Sequence, residues 1–312
     1  MKDYETKLNL LRNILPFLGL VGVIVILQAA SGGRLLVQGN ISTLVNEVFI
    51  LMIGSSVMVF LMAQGNLDFS MMANLAFSCV FAVKASHVYP ILALPVGILV
   101  GTGIGFLNGV IHAKCRINSF VTTIGMLFAL TGLITVALNN QGSLASPMEM
   151  LSWNSTELRI CVLLIIAVSG YIMFEYGRLG KYCKAIGSCE EAARQSGINV
   201  EKTKILSFMM VGSVCGFLSF FSILRTGTAT TGVAMNTMFN IIISILLGGT
   251  SITGGSSSKF RAAIIGSLTM AFLSVGMTIC GIDTTIQQLI RGIMFISIVF
   301  ATYDRKGIQI VR

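Results

Sequence analysis

Apolar residues fall into ten stretches separated by short polar runs. They lie at about 14–30, 44–63, 70–86, 91–113, 117–139, 158–176, 205–224, 238–247, 262–280 and 286–303. A membrane-spanning helix needs about 20 mostly apolar residues, and in hydrocarbon each backbone group must pair inside its own segment. The pattern therefore predicts an all-α, polytopic membrane protein with about ten transmembrane helices, all within one domain over 1–312. The third and eighth stretches are short, and both abut Gly- or Asn-rich segments. The first follows Lys2, Lys7 and Arg12, as a secretory leader would. Its 17 residues are long for a leader core, however, and Gln28-Ala29-Ala30 is a poor cleavage site, so it reads as an uncleaved span.

Charge orients these spans. With the N-terminus in the cytoplasm and ten crossings, the inner positions hold Lys2, Lys7 and Arg12, then Lys114 and Arg116. They also hold Arg178, Lys181, Lys184, Arg194, Lys202 and Lys204, then Lys259 and Arg261, and last Arg305, Lys306 and Arg312. The outer positions hold only Arg34, Lys84, Arg159 and Arg225, with Arg291 inside the last span. The positive-inside bias of membrane proteins then puts both termini in the cytoplasm. The net charge of +9 is spread between apolar spans, which argues against a nucleic-acid partner. The composition agrees: 54% of residues are hydrophobic and 11% charged, against about 25% charged in soluble domains. Small residues replace hydrophobic driving force between helices in lipid, and Gly101, Gly105 and Gly109 recur at four-residue spacing on one helix face.

One inner loop is long, 177–204, and contains a short helix over about 189–196. Ser188 and Glu191 stand at the spacing of a capping box, and Gly197 sits where a left-handed C-terminal cap is wanted. Ala192 and Ala193 offer a small flat face flanked by charge. A helix this short is marginal in water, so it either connects two spans as a solvated turn or packs on a cytoplasmic partner.

The sequence Glu190-Glu191-Ala192-Ala193-Arg194-Gln195-Ser196-Gly197-Ile198-Asn199 resembles the coupling segment of permeases from ribose-type sugar importers. These are ATP-binding-cassette (ABC) transporters with a separate solute-binding protein, and their larger family also includes branched-chain amino-acid permeases. Three further stretches agree in order. Gly65-Asn66-Leu67-Asp68-Phe69-Ser70 is similar to the family's GGIDLS. Asn108-Gly109, with Ser119-Phe120-Val121-Thr122-Thr123-Ile124-Gly125, is similar to its NG and PFIVTLG. Gly248-Gly249-Thr250-Ser251-Ile252-Thr253-Gly254-Gly255 is similar to its GGTSLSGG. Asn66, Met72 and Thr131 depart from the family's usual Gly, Gly and Arg.

The resemblance implies a permease subunit that moves a sugar or similar small polar solute across a bacterial plasma membrane, with ATP hydrolysed by a partner. No Walker A sequence is present, so this chain itself is not an enzyme and needs no cofactor. The implied partners are an ABC ATPase on the coupling loop, an extracytoplasmic solute-binding protein, a second identical or different permease, and membrane lipid. The implied ATPase-coupling residues are Glu190, Glu191, Ala192, Ala193, Arg194 and Gly197. Irregular backbone at membrane depth is tolerated where it is buried or lines a cavity, so two interruptions are candidates for pathway or gating roles. One offers Asn66, Asp68 and Ser70; the other offers Gly248, Gly249 and Thr250. Asp68 is expected to tether backbone amides and cap the following helix. Two alternatives stay open. One is an amino-acid or nucleoside importer of the same class. The other is an ion-coupled carrier, which would need acids in the bundle, where only Glu47 and Asp68 qualify.

Overall fold

The computed structural model describes residues 2–139, 141–230, 232 and 235–302. Tyr303, Arg305, Lys306 and Arg312, used above to end the last span and orient the C-terminus, lie outside the described residues. The helices overlie the apolar stretches, although α1 and α2 begin well before theirs, α1 taking in Lys2, Lys7 and Arg12: α1 Lys2–Ala30, α2 Gln38–Ala63, α3 Met71–Ser86, α4 Ala93–Lys114, α5 Ser119–Ala137 and α6 Thr156–Glu175. Two short helices follow, α7 Arg178–Ser188 and α8 Glu190–Gln195. The chain then continues as α9 Val200–Thr226, α10 Met235–Leu247, α11 Arg261–Ile279 and α12 Thr284–Thr302. Among the described residues, six helices are long and apolar enough to cross a membrane: α2, α4 with the short turn before it, α5, α6, α9 and α11. Four shorter apolar helices accompany them, two being the α3 and α10 segments expected to be short. The protein is therefore a polytopic α-helical membrane protein.

Two features differ from the expectation. A short antiparallel ribbon joins β1, Ser143–Ala145, to β2, Thr228–Thr230, with Leu144 opposite Ala229. The pairing satisfies backbone groups in two loops that have too few apolar residues to continue a helix. The 177–204 segment holds two helices rather than one. In α7, Gly180, Cys183 and Ile186 recur at three-residue spacing and are buried, which gives that helix an inner face to pack.

The connections sort into two ends of the bundle. At one end the α2–α3 connection meets the α10–α11 connection, Gly255 N–H donating to the Ala63 carbonyl at 2.9 Å. The α7 terminus joins them, its Ser188 hydroxyl accepting from Ser256 N–H at 3.0 Å. At the other end lie the β1–β2 ribbon and the α3 terminus, where a His87 ring nitrogen meets the Ala145 carbonyl at 3.0 Å. Lys84 donates to the Ala137 carbonyl at 2.8 Å there. This grouping matches the two sides that the basic residues define.

Helix α2 is the centre of the bundle, with every residue from Leu51 to Ala63 buried. The Phe60 and Phe174 rings pack edge to face at 4.9 Å. Helices α5 and α6 are peripheral and expose Phe128, Leu164, Ile165 and Val168, the side-chain types that lipid solvates. The most extensive helix contact is between α4 and α9. The Gly101, Gly105 and Gly109 stripe makes it, extended by Gly97 and answered by Gly212 and Gly216. A Cβ at Gly101 would overlap the Gly212 carbonyl oxygen, and one at Gly216 would overlap the Gly97 carbonyl oxygen. Gly101→Val is expected to destabilise the protein by about 1–3 kcal/mol, the usual cost of overpacking. Gly103→Ala, which meets nothing within 4 Å, is expected to leave the melting temperature in detergent unchanged.

Candidate functional site

The two interruptions share one construction. After Ala63 the chain turns left-handed at Gly65, φ 75°. Gly65 N–H reaches the Met62 carbonyl at 2.9 Å and Asn66 N–H reaches Leu61 at 3.0 Å. After Leu247 it turns left-handed at Gly249, φ 94°. Gly249 N–H reaches Leu246 at 2.9 Å and Thr250 N–H reaches Ile245 at 3.2 Å. Both are Schellman endings, which use glycine to satisfy the last carbonyls of a helix. The interruptions then touch. A Cβ at Gly65 would sit 3.2 Å from the Thr253 carbonyl oxygen, and one at Gly254 would sit 2.5 Å from that of Met62. Gly187, near the end of α7, closes the junction: a Cβ there would overlap the Ala63 carbonyl oxygen and lie 2.7 Å from Gly255 N. Three chain segments thus meet backbone to backbone around Ala63.

Side chains tie α7 to the same place. Gln64 donates to the Ser207 hydroxyl on α9 at 2.6 Å and to the Cys183 sulfur on α7 at 3.0 Å. Glu175, at the end of α6, pairs with Lys184 of α7 at 2.5 Å. Its other oxygen accepts from Phe260 N–H at 2.8 Å.

Asp68 is 1% exposed, and its Oδ1 accepts from Ser70 N–H at 2.8 Å and from the Ser70 hydroxyl at 2.6 Å. The carboxylate thus tethers the Ser70 amide, as the sequence predicts, but the expected cap is not made: the N-cap residue of α3 is Ser70, with no side-chain capping hydrogen bond. Ser70 Oγ in turn accepts from Asn108 of α4 at 2.8 Å. One turn further along α3, Asn74 donates to the Gly101 carbonyl at 3.1 Å. Asp68 Oδ2, Asn108 Oδ1 and the side-chain nitrogen of Asn66 are buried without a hydrogen-bond partner among the described residues. This group faces α4. The second group turns elsewhere: a Cβ at Gly248 would overlap the Ala262 carbonyl oxygen on α11, and Gly249 lies beside Pro16 of α1. Thr250 is 1% exposed. The two interruptions therefore touch through Gly65 and Gly254, while the Asp68 group faces α4 and the backbone of Gly248 and Gly249 faces α11 and α1.

The structure corrects two expectations for the short helix. Ser188 does not cap α8: it is the last residue of α7, and its hydroxyl donates to the Lys184 carbonyl at 2.9 Å. Cys189 occupies the cap position, with no side-chain hydrogen bond. Ala192 and Ala193 do not share a face. Ala193 is buried with Ile186 and Val200, so Ala192 is left exposed beside Glu191 and Arg194. Glu190 turns toward the body, pairing with Lys204 at 2.8 Å and Arg194 at 3.4 Å; the Lys204 hydrogen bond holds its carboxyl below the usual range. Gly197 is left-handed as expected, φ 81°. Ile198 N–H reaches Ala193 and Gly197 N–H reaches Arg194, each at 3.1 Å.

Residues 40–299 match the family described as the branched-chain amino acid transport system / permease component. The chain belongs to that family. Among its relatives, the L-arabinose ABC transporter permease protein AraH of Azospirillum brasilense is 29% identical, over 80% of this chain and 76% of the relative. The ribose import permease protein RbsC of Escherichia coli K12 is 28% identical over 69% and 71% of the two chains. The fructose import permease protein FruG of Bifidobacterium longum is 24% identical over 94% and 92%. No solved structure matches. The permease assignment sets aside an ion-coupled carrier.

In this permease the sequence singles out both interruptions, the first opening at Gln64, and the Asn108 motif, but not the contacts by which Gln64, Asn108 and Gly187 connect them to α7, α9 and α4. Gln64 is a polar residue closing an apolar run, and Asn108 opens an Asn-Gly pair inside an apolar helix; neither feature marks which distant segment it meets. Asp68→Asn keeps an oxygen for the Ser70 amide and is expected to retain transport. Asp68→Leu leaves that buried amide unpaired, at about 1–3 kcal/mol. Thermal melting and uptake in reconstituted vesicles check both; equal loss in the two variants would refute the tethering role.

Proposed function

We propose that this permease imports a sugar, of the pentose or ketohexose type named for its relatives, across a bacterial plasma membrane. It does so with ATP hydrolysed by a separate ABC ATPase, so the chain needs no cofactor of its own. It pairs with a second permease, identical or different, and receives solute from an extracytoplasmic binding protein. The chain makes ten crossings with both termini cytoplasmic. It acts as one transmembrane domain, in which 177–204 is the coupling segment carrying Glu190, Glu191, Ala192, Ala193, Arg194 and Gly197.

The observation that carries this reading is the backbone junction at Ala63. Helices α7 and α8 are consecutive, and α7 ends by threading Gly187 between the two interruptions. A displacement of α8 by the ATPase therefore acts directly on the turns that begin α3 and end α10. Asn66, Asp68 and Ser70 hold one turn; Gly248, Gly249 and Thr250 hold the other. Alternating access follows if these turns move with α7 when nucleotide closes the ATPases.

The decisive experiment is uptake into proteoliposomes containing the full complex and ATP, with ion gradients collapsed by ionophores. Labelled ribose, L-arabinose and fructose are expected to be concentrated, and leucine is not. Leucine uptake with no sugar uptake would select the amino-acid importer instead; failure of all accumulation while ATP is hydrolysed would reject both. Sidedness is checked separately in intact cells: an impermeant thiol reagent is expected to reach cysteines placed at 144–152 and to spare those at 181–204.

A further inference from the structure

A cleft of about 510 Å³ opens beside α8 at the end of the bundle that carries the coupling segment. One wall is α8 with the start of α9, contributing Glu190, Glu191, Arg194, Glu201 and Lys204. The other is the turn between α4 and α5, contributing His112, Arg116, Ile117 and Asn118. Resting on the reading that α8 meets the ATPase, we propose that this α4–α5 turn is a second contact for the same ATPase. A segment of that subunit would fill the cleft and place a carboxylate on Arg116.

Three observations carry this. First, the turn is held rigid in an unfavourable conformation. Arg116 is left-handed, φ 56°, a region that non-glycine residues enter rarely and mostly where function requires it. A His112 ring nitrogen braces the turn at 2.7 Å from the Ile117 carbonyl. Asn118 caps the next helix through Phe120 N–H at 2.9 Å. Glycine would hold the same backbone without strain, so the side chain at 116 serves a purpose that the backbone does not.

Second, the charges of the cleft are incompletely paired. Glu190 is shared by Lys204 and Arg194. Among the described residues, Arg116, Glu191 and Glu201 enter no ion pair. The cleft thus presents a lone positive group on one wall and lone negative groups on the other. A partner carrying the opposite order of charge would be oriented uniquely, which is how charge gives register at interfaces. Third, Ile117 is 41% exposed between Arg116 and Asn118, on a polar turn, so the lip offers an apolar contact beside the cation.

Such a two-walled seat differs mechanically from a single helix lying on a surface. A segment wedged between α8 and the turn would push on α4 as well as on α7. Helix α4 carries both the Asn108 contact to Ser70 and the glycine seam against α9.

Two exposed native cysteines flank the cleft, Cys115 in the turn and Cys189 before α8. A benzophenone-maleimide attached to one of them, with the other and the remaining surface cysteines changed to serine, reports contact after irradiation of the assembled complex. Adducts with the ATPase are expected from both positions. An adduct from Cys189 with none from Cys115 would overturn the second contact and leave the α8 reading standing; adducts from neither would overturn both. The companion variant is Arg116→Gly, which relieves the left-handed strain and so should not lower the melting temperature. It is expected to reduce binding-protein-stimulated ATP hydrolysis and uptake by at least about tenfold, as loss of a buried charge contact does. Arg116→Lys should recover part of that loss. Full activity in Arg116→Gly would mean that the cation has no partner, and the proposal would fall.

Discussion

The carbonyl of Ala63 ends α2, and every last-turn carbonyl of a helix lacks its intrahelical partner. At membrane depth such a group cannot turn to bulk water, and leaving it unpaired is expensive. Here Gly255 N–H supplies the bond. That bond forces the α10–α11 connection against the end of the most buried helix in the bundle. It also leaves no room for a side chain at Gly187, where α7 crosses. Much of the inner end follows from this constraint. The contact of Gly254 with the end of α2, the anchoring of Gln64 on α7 and α9, and the Ser188–Ser256 bond all accompany the close approach of three segments. Only glycine permits that approach.

The remainder of the bundle is built on the same economy of side chains. Lipid tails are as apolar as leucine, so helices associate by close packing and by hydrogen bonds between them. The seam between α4 and α9 meets that requirement with glycines from both helices. On its other side α4 is tied to α3 and the residues before it by buried polar pairs: Asn74 on the Gly101 carbonyl, and Asn108 on Ser70. Aromatic rings fill the space next to this seam, with Phe49 and Phe221 at 4.9 Å and Phe77 and Phe81 at 4.9 Å. Arg291 of α12 is held locally through one guanidinium nitrogen, donating to Gln287 at 3.0 Å and to Ser274 at 3.3 Å.

Function enters where rigid and deformable parts meet. Helix α7 is bound to α6 by the Lys184–Glu175 pair and to α2 by the Cys183–Gln64 contact, so it is fixed to the body of the bundle. Helix α8 is held more lightly, by Ala193 in a small cluster and by the Glu190–Lys204 pair, and it keeps Glu191, Ala192 and Arg194 outward. A partner that grips α8 therefore has a lever ending at the Ala63 junction. The polar group of Asp68, Ser70 and Asn108 sits one turn away, on the segment that such a lever would displace.

Several of these features were legible in the linear pattern of residues. Apolar runs of spanning length can only be helices in lipid, so the long helices were found close to their observed ends. Gly197 was recognised as a left-handed cap because glycine after a charged short helix has few other uses. The four-residue glycine spacing on α4 announced a close contact. What the pattern could not contain was the identity of partners distant in the chain. The glycines at 212 and 216 answer those of α4, and nothing local marks which helix they face. Ser188 looked like a cap because Glu191 stands three residues later. Whether α7 extends up to it depends on burial of Gly180, Cys183 and Ile186, which is a tertiary fact. Ala192 and Ala193 look alike in sequence, and only packing against Ile186 and Val200 separates the inward alanine from the outward one. The sequence determined the helices and their glycine turns, because solvent and backbone geometry act residue by residue. The tertiary structure decided that the Gly254–Gly255 turn and the end of α7 meet at the carbonyl of Ala63, because that contact joins the end of α2 to segments far along the chain.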